Sequence, residues 1–335
     1  MVRGWIVVNQ LSVVIPMLIG FGLTLLFTPI VRAIAQKIGL VDQPNERRIN
    51  VVPVPTGGGL AIFLAFFTAA KLMHYPGLLP YATGGIVIAL VGLIDDYRGL
   101  NAGFKFIGQV MAVGIFLWLQ PSVSGIIIAI WMLSVINVIN FIDGLDGLAT
   151  GVIVIAAFAL FSLAYELGLS SISGLVLILV GTSLGFLPFN FNPAKIFLGD
   201  TGAMLLGFLF AALTAEGLLQ GVSRINLSVP VMILALPVMD TCCAIIRRWQ
   251  QGVPFYQADK QHFHHRLLDL GLNQWQVALC AYMLCFASAG TALFLARFNG
   301  HQPIILLIVG SVFMWGASKI GLVGPLVMRS HRRVL

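Results

Sequence analysis

Four clusters of carboxylates, amides and imidazoles carry the chemistry of this sequence. Asp95 and Asp96 close an apolar run in Leu93-Ile94-Asp95-Asp96-Tyr97-Arg98, and Lys105 and Gln109 follow one helical turn apart. Asn137, Asn140 and Asp143 recur at spacing three before Gly144-Leu145-Asp146-Gly147, so a helix would put all three on one face. Phe197-Leu198-Gly199-Asp200-Thr201-Gly202, shortly after Asn190, holds a single carboxylate between glycines at the start of another apolar run. Asp259-Lys260-Gln261-His262-Phe263-His264-His265-Arg266 is the one histidine cluster of the chain.

These residue types suit work on phosphates. Mg²⁺ takes one or two carboxylates and completes its shell with water and substrate phosphate, which makes Asp200 a metal-ligand candidate. A helix N-cap is a compatible role for the same residue. Adjacent carboxylates point to different sides of a helix, so Asp95 and Asp96 are expected to do different jobs. Polar groups clustered on one face of an apolar helix end are costly for mere packing, which favours a functional reading of Asn137, Asn140, Asp143 and Asp146. The histidines lack neighbouring cysteines and the HExxH spacing of a zinc helix, so phosphate-binding imidazoles are expected rather than structural zinc. A further segment, Gly39 to Arg47-Arg48, leads to Gly57-Gly58-Gly59 at a helix start, where bare amides beside an arginine pair would suit an anion; close helix packing is the alternative.

The elements that position these groups belong to a membrane. The chain is 59% hydrophobic and 9% charged, with a mean hydropathy of +0.98, far outside soluble domains. Apolar runs predict about eleven helical spans, near 11–34, 57–73, 80–94, 104–119, 124–139, 148–165, 172–189, 203–219, 228–246, 275–296 and 304–323. The first run is too long for a signal-peptide core and reads as a retained span. The expected fold is an all-α polytopic bundle, one membrane domain over residues 1–335 without a soluble insertion.

Fifteen of the 19 Lys and Arg residues fall on one face of this map, which predicts an outside N-terminus and a cytoplasmic C-terminus. All nine Asp residues fall in or beside the same cytoplasmic loops, whereas Glu166 and Glu216 lie near the outer face. Insertion rules do not require that acid clustering. Five cytoplasmic segments, 39–56, 95–103, 137–147, 190–202 and 247–274, should therefore pack together as one site. The four cysteines lie within spans without a CxxC pair and are expected to be free. The net charge of +7 fits loop anchoring at anionic headgroups, and no soluble basic-aromatic domain points to nucleic acid.

Taken in order, Asp95-Asp96, NxxNxxDGxDGL, FxGDxG and DxxHxHH resemble the polyprenyl-phosphate N-acetylhexosamine-1-phosphate transferases over about residues 39–270. The Asp259-x-x-His262-x-His264-His265 form is similar to the branch using UDP-N-acetylglucosamine or a close relative, as in enterobacterial-antigen, O-antigen and teichoic-acid linkage synthesis. Asn50, Thr56 and Ala203 depart from that branch's usual His, Arg and Ser and bear on the donor sugar.

The resemblance implies transfer of a sugar 1-phosphate from a UDP-sugar to undecaprenyl phosphate, with release of UMP, at the cytoplasmic face of the bacterial plasma membrane. It implies Mg²⁺, with Mn²⁺ as an alternative, at Asp200 with Asn140. It places Asn140 and Asp143 by the diphosphate, Gly144, Leu145 and Asp146 at the uracil, Phe197 stacked on that base and Asn190 beside it. Asp95 would orient or deprotonate the lipid phosphate with Asp96 as its partner. Arg47, Arg48, Lys105, His262, His264 and His265 would handle phosphate charge, with Asn137 nearby. Expected partners are the UDP-sugar, the polyprenyl phosphate and membrane lipid, with a homodimer as one conceivable assembly and no nucleic acid. The rival reading, an ion-coupled transporter, would place its polar groups near the midplane in repeated halves, and neither is present in the sequence.

Overall fold

The computed structural model describes residues 2–43, 53–123, 125–219, 227–253 and 261–297, together with 308 and 310–312. Its helices are α1 (Val2–Ile38), α2 (Gly59–Leu72), α3 (Leu78–Arg98), α4 (Ala102–Leu119), α5 (Ile126–Ile142) and α6 (Leu148–Glu166). They continue as α7 (Ser170–Asn190), α8 (Gly199–Leu219), α9 (Ser228–Ile233), α10 (Ala235–Gln250), α11 (Phe263–Asp269) and α12 (Gln274–Leu295). Among the described residues, α1 from Val13, α3, α4, α6, α7 and α12 are long and apolar enough to cross a membrane, and α2 and α5 are shorter apolar helices. Phe104, Ile107, Met111 and Trp118 of α4 are exposed, as expected of a helix that faces hydrocarbon rather than water.

Two features depart from the sequence reading. A short antiparallel pair, β1 (Val41–Asp42) and β2 (Val54–Pro55), qualifies the all-α expectation and holds the ends of the first loop together. The apolar run at 228–246 forms two helices that meet at Leu234, rather than one. Pro237 has no N–H to offer the carbonyl of Ile233, so the ladder cannot run through the junction. Asp240, Arg247 and Arg248 are buried on α10, so that helix turns a polar face inward.

At the centre stands α8. Every residue from Thr201 to Ala215 is buried, which is what an all-round apolar helix requires. Small residues let its neighbours approach: a Cβ on Gly92 of α3 would overlap the backbone of Thr201, and one on Gly59 of α2 would overlap that of Gly202. Close approach of this kind is how helices gain packing energy without a hydrophobic driving force. The same device joins α1 to α7, where a Cβ on Gly181 would strike the carbonyl of Met17.

The acids divide between the two ends of the bundle as the topology predicts. Tyr81 donates a hydrogen bond to Glu216, and Arg297 lies 3.3 Å from Glu166, both at the end away from the aspartates. The Gly92 contact yields a test. Gly92→Ala should lose about 1–3 kcal/mol by overpacking, read as a lower Tm of the detergent-purified protein. Gly114→Ala, on an open face of α4 with nothing within 4 Å, should leave Tm unchanged or raise it. Equal Tm values for the two variants would contradict the packing described.

Candidate active site

A cavity of about 440 Å³ opens where α3, α5 and α7 end and α4, α6, α8 and α12 begin. All five segments singled out in the sequence line it: Asp42 and Thr56; Asp95 and Asp96; Asn140 and Asp143 to Asp146; Asn190 and Phe197 to Asp200; His265 and Gln274. Among the described residues that line it, six are aspartates and none is a lysine or arginine.

The acids are held from the helix ends upward. Lys105, in the first turn of α4, reaches back to Asp95 Oδ2 at 2.5 Å and to Asp200 Oδ1 at 2.7 Å. Asp200 Oδ1 also accepts from Asn140 Nδ2 at 2.6 Å, which ties α5 to α8. Asp95 Oδ1 accepts from the N–H of Leu100 at 2.5 Å, fixing the turn between α3 and α4. Asp96 points another way, toward the first turn of α8, where it accepts from the N–H of Asp200 and from Thr201. The two neighbouring carboxylates thus have different surroundings, as their helical spacing requires.

Asp143 follows the last turn of α5. Burial and the nearby charges of Asp200, Asp96 and Asp146 push its carboxyl well above the usual carboxylate range. Asp146 Oδ2 accepts from Asn192 Nδ2 and the N–H of Ala194, both at 3.0 Å, and so shapes the fourth loop. Asn190 donates one amide N–H to the carbonyl of Ile196 and accepts from Thr150 with its oxygen, which fixes the side chain in the cavity wall. Phe197 is half-buried at the cavity's edge with its ring available for stacking.

The histidines separate by role. His262 Nδ1 lies 2.9 Å from Asp240 Oδ2, and Asp240 Oδ1 accepts from the N–H of Phe263 at 2.8 Å, so α10 anchors the start of α11. His264 is 2% exposed and stacks on His262 with ring centroids 5.9 Å apart. Burial first, and then His265, lower its pKa to about 3, so the ring is neutral near pH 7 and does not supply positive charge. A Cβ on Gly144 would overlap its imidazole, so the third loop is seated directly on this ring. His265, by contrast, lines the cavity.

Three expectations need correction or restriction. Gly58 and Gly59 do not bare their amides to an anion: they donate to the carbonyls of Phe197 and Leu198, both at 3.0 Å, and their missing side chains admit Phe186 and Gly202. Asn137 lies outside the cavity lining, in a reciprocal amide pair with Gln109 at 2.7 and 3.3 Å that joins α5 to α4. Arg47, Arg48 and Asp259 lie outside the described residues. Sequence reasoning did not select Gln274 or Thr56 as lining. Asn273 and Gln276 form a capping box that marks the start of α12, but no local signal says that Gln274 faces inward.

A divalent cation fits this donor set. Among the described residues no three His, Cys, Asp or Glu side chains form a ready-made cage. Mg²⁺ asks for less, one or two hard oxygen ligands with water and phosphate completing the shell, and Asp200 and Asn140, hydrogen-bonded to each other, are the residues that would hold it.

The chain is similar in sequence to known proteins. The model of the family described as "Glycosyl transferase family 4" matches residues 78–218. A Bacillus subtilis protein named "Probable undecaprenyl-phosphate N-acetylglucosaminyl 1-phosphate transferase" is 33% identical over 91% of each chain. A Mycobacterium tuberculosis "Decaprenyl-phosphate N-acetylglucosaminephosphotransferase" is 34% identical over 84% of this chain and 83% of its own. The Escherichia coli "Undecaprenyl-phosphate alpha-N-acetylglucosaminyl 1-phosphate transferase" is 26% identical over 92% of this chain and 91% of its own. With identity at this level along almost the whole chain, the protein belongs to glycosyl transferase family 4, among its polyprenyl-phosphate N-acetylglucosamine-1-phosphate transferases.

Proposed function

We propose that the protein transfers N-acetylglucosamine 1-phosphate from UDP-N-acetylglucosamine to undecaprenyl phosphate and releases UMP. An oxygen of the lipid phosphate attacks the sugar-bearing phosphorus, a new pyrophosphate bond forms, and the bond to the UMP phosphate breaks. The observation that carries this reading is a cavity walled by six aspartates and one aromatic ring, at the ends of apolar helices where a nucleotide and a lipid headgroup can meet.

Two unit charges 4 Å apart repel by about 4 kcal/mol at an effective dielectric of 20, so bringing two phosphates together needs positive charge. Mg²⁺ held by Asp200 and Asn140 would supply that charge on the donor's diphosphate when bound. Lys105 adds a second cation beside it and orients the Asp95 and Asp200 carboxylates. Asp95 orients the lipid phosphate, which is already largely ionised near pH 7 and needs little help from a base. Phe197 offers its face to uracil, with Gly144, Leu145 and Asp146 around the base's edge. His265 contacts the phosphates, while neutral His264 supports the third loop from below.

The membrane arrangement proposed with this reading is eleven spans, with the N-terminus outside and the cavity and C-terminus cytoplasmic. Alternation of the helix ends around the cavity and the one-sided basic residues support it.

Purified protein given UDP-N-acetylglucosamine, undecaprenyl phosphate and Mg²⁺ should release UMP, and chelation should stop it. Absence of turnover across UDP-sugars would overturn the reading. Asp200→Asn is expected to lower kcat by at least about a hundredfold while the protein stays folded and membrane-inserted; near-normal turnover would remove Asp200 from the metal site. Gly144→Ala, forced against the buried His264 ring, should lower kcat/KM by about tenfold or more, with the larger part in KM for the nucleotide sugar. An unchanged KM would place the third loop away from the donor.

A further inference from the structure

The Asp95-Asp96 pair divides more sharply than its sequence suggests. Helix α8 starts at Gly199, with φ +72°, after the apolar Leu198, and neither of these two entry residues carries a polar side chain that could cap the amides of the first turn. Asp96 supplies that cap from another helix. Its Oδ1 accepts from the N–H of Asp200 at 2.8 Å, and its Oδ2 accepts from the N–H of Thr201 at 3.2 Å and from Thr201 Oγ1 at 2.6 Å. Both carboxylate oxygens are thus engaged by the first turn of α8.

The reach is set by backbone contact. One turn earlier on α3, Gly92 lies against the backbone of Thr201, and Gly199 has no Cβ where Asp96 Oδ2 passes. These two close approaches leave room for a side chain of aspartate's length and no more. Asp95, one residue earlier, has the opposite environment, because its oxygens meet Lys105 and the turn into α4.

We infer that Asp96 is a positioning residue that caps α8 across the helix interface and thereby aims the Asp200 carboxylate at Lys105 and Asn140, leaving Asp95 as the acid of the pair that meets substrate. The inference deepens the transferase reading and rests on it for its kinetic arm alone. A cap needs hydrogen-bond acceptors at the right distance, whereas a reacting or metal-binding group needs a carboxylate. Asparagine keeps one of the two acceptors at that distance, which is what an ordinary cap uses, while its amide nitrogen can only donate where Asp96 accepts with its second oxygen. Glutamate keeps the charge but is one methylene too long.

The test uses the full-length protein in detergent, with hydrogen–deuterium exchange of the peptide carrying residues 199–203 and kcat measured on the same preparations. Asp96→Ala should raise exchange in that first turn about tenfold or more, Asp96→Asn should fall between alanine and wild type, and Asp95→Ala should leave the turn protected. In turnover, Asp96→Asn should exceed Asp96→Glu by about tenfold or more. Unchanged exchange in Asp96→Ala, or Glu outperforming Asn, would overturn the assignment. Should Asp96→Ala fail to fold, the comparison of Asn with Glu decides. If wild type itself turns over no UDP-sugar, the transferase reading fails, and the exchange result still decides whether Asp96 caps α8.

Discussion

The shared ammonium of Lys105 is the interaction around which the site is arranged. Asp95 and Asp200 come from helices far apart in the chain, and each lies within 2.7 Å of the same nitrogen. Without that cation the two carboxylates would repel each other by several kcal/mol at a protein-like dielectric. Among the described residues, six aspartates line the cavity beside that ammonium, and burial together with the charges of Asp200, Asp96 and Asp146 raises the carboxyl of Asp143. In the proposed reading this cavity would take a divalent cation and, through it, the substrate phosphates.

That arrangement is possible because α8 has no exposed face. A helix buried from Thr201 to Ala215 makes a rigid post, and glycines on α2 and α3 bring neighbouring backbones against its first turn. The site therefore inherits its precision from apolar packing several ångströms away. The fourth loop is fixed from both sides. Asp146 holds Ala194 and Asn192, while the carbonyls of Phe197 and Leu198 receive the amides of Gly58 and Gly59. Loops at a membrane surface are tolerated when their polar backbone is satisfied in this manner.

Much of this was legible in the sequence because it depends on local runs. Apolar stretches mark the helices from α2 to α8 and α12 to within a few residues, whereas α1 begins at Val2, well before the run that signals it, and the one-sided aspartates point to a single site. What was not legible depends on contacts between distant segments. Nothing around Gly57-Gly58-Gly59 says that its amides meet Phe197 and Leu198 rather than an anion. Asn137 has the spacing of a site residue, and only the facing Gln109 on α4 draws it into a helix-to-helix pair. The break at Leu234 could be read from Pro237, whose missing N–H weighs more than the continuous apolar run around it.

The surplus of carboxylates around Lys105 is tested most directly by counting divalent cations. Electron paramagnetic resonance of Mn²⁺ titrated into the purified wild-type protein, without substrate, is expected to show one bound ion, and Asp200→Asn is expected to lose it. A wild-type protein that binds no Mn²⁺, or an Asp200→Asn variant that binds it equally well, would contradict the assignment of the cavity as a cation-dependent phosphate site.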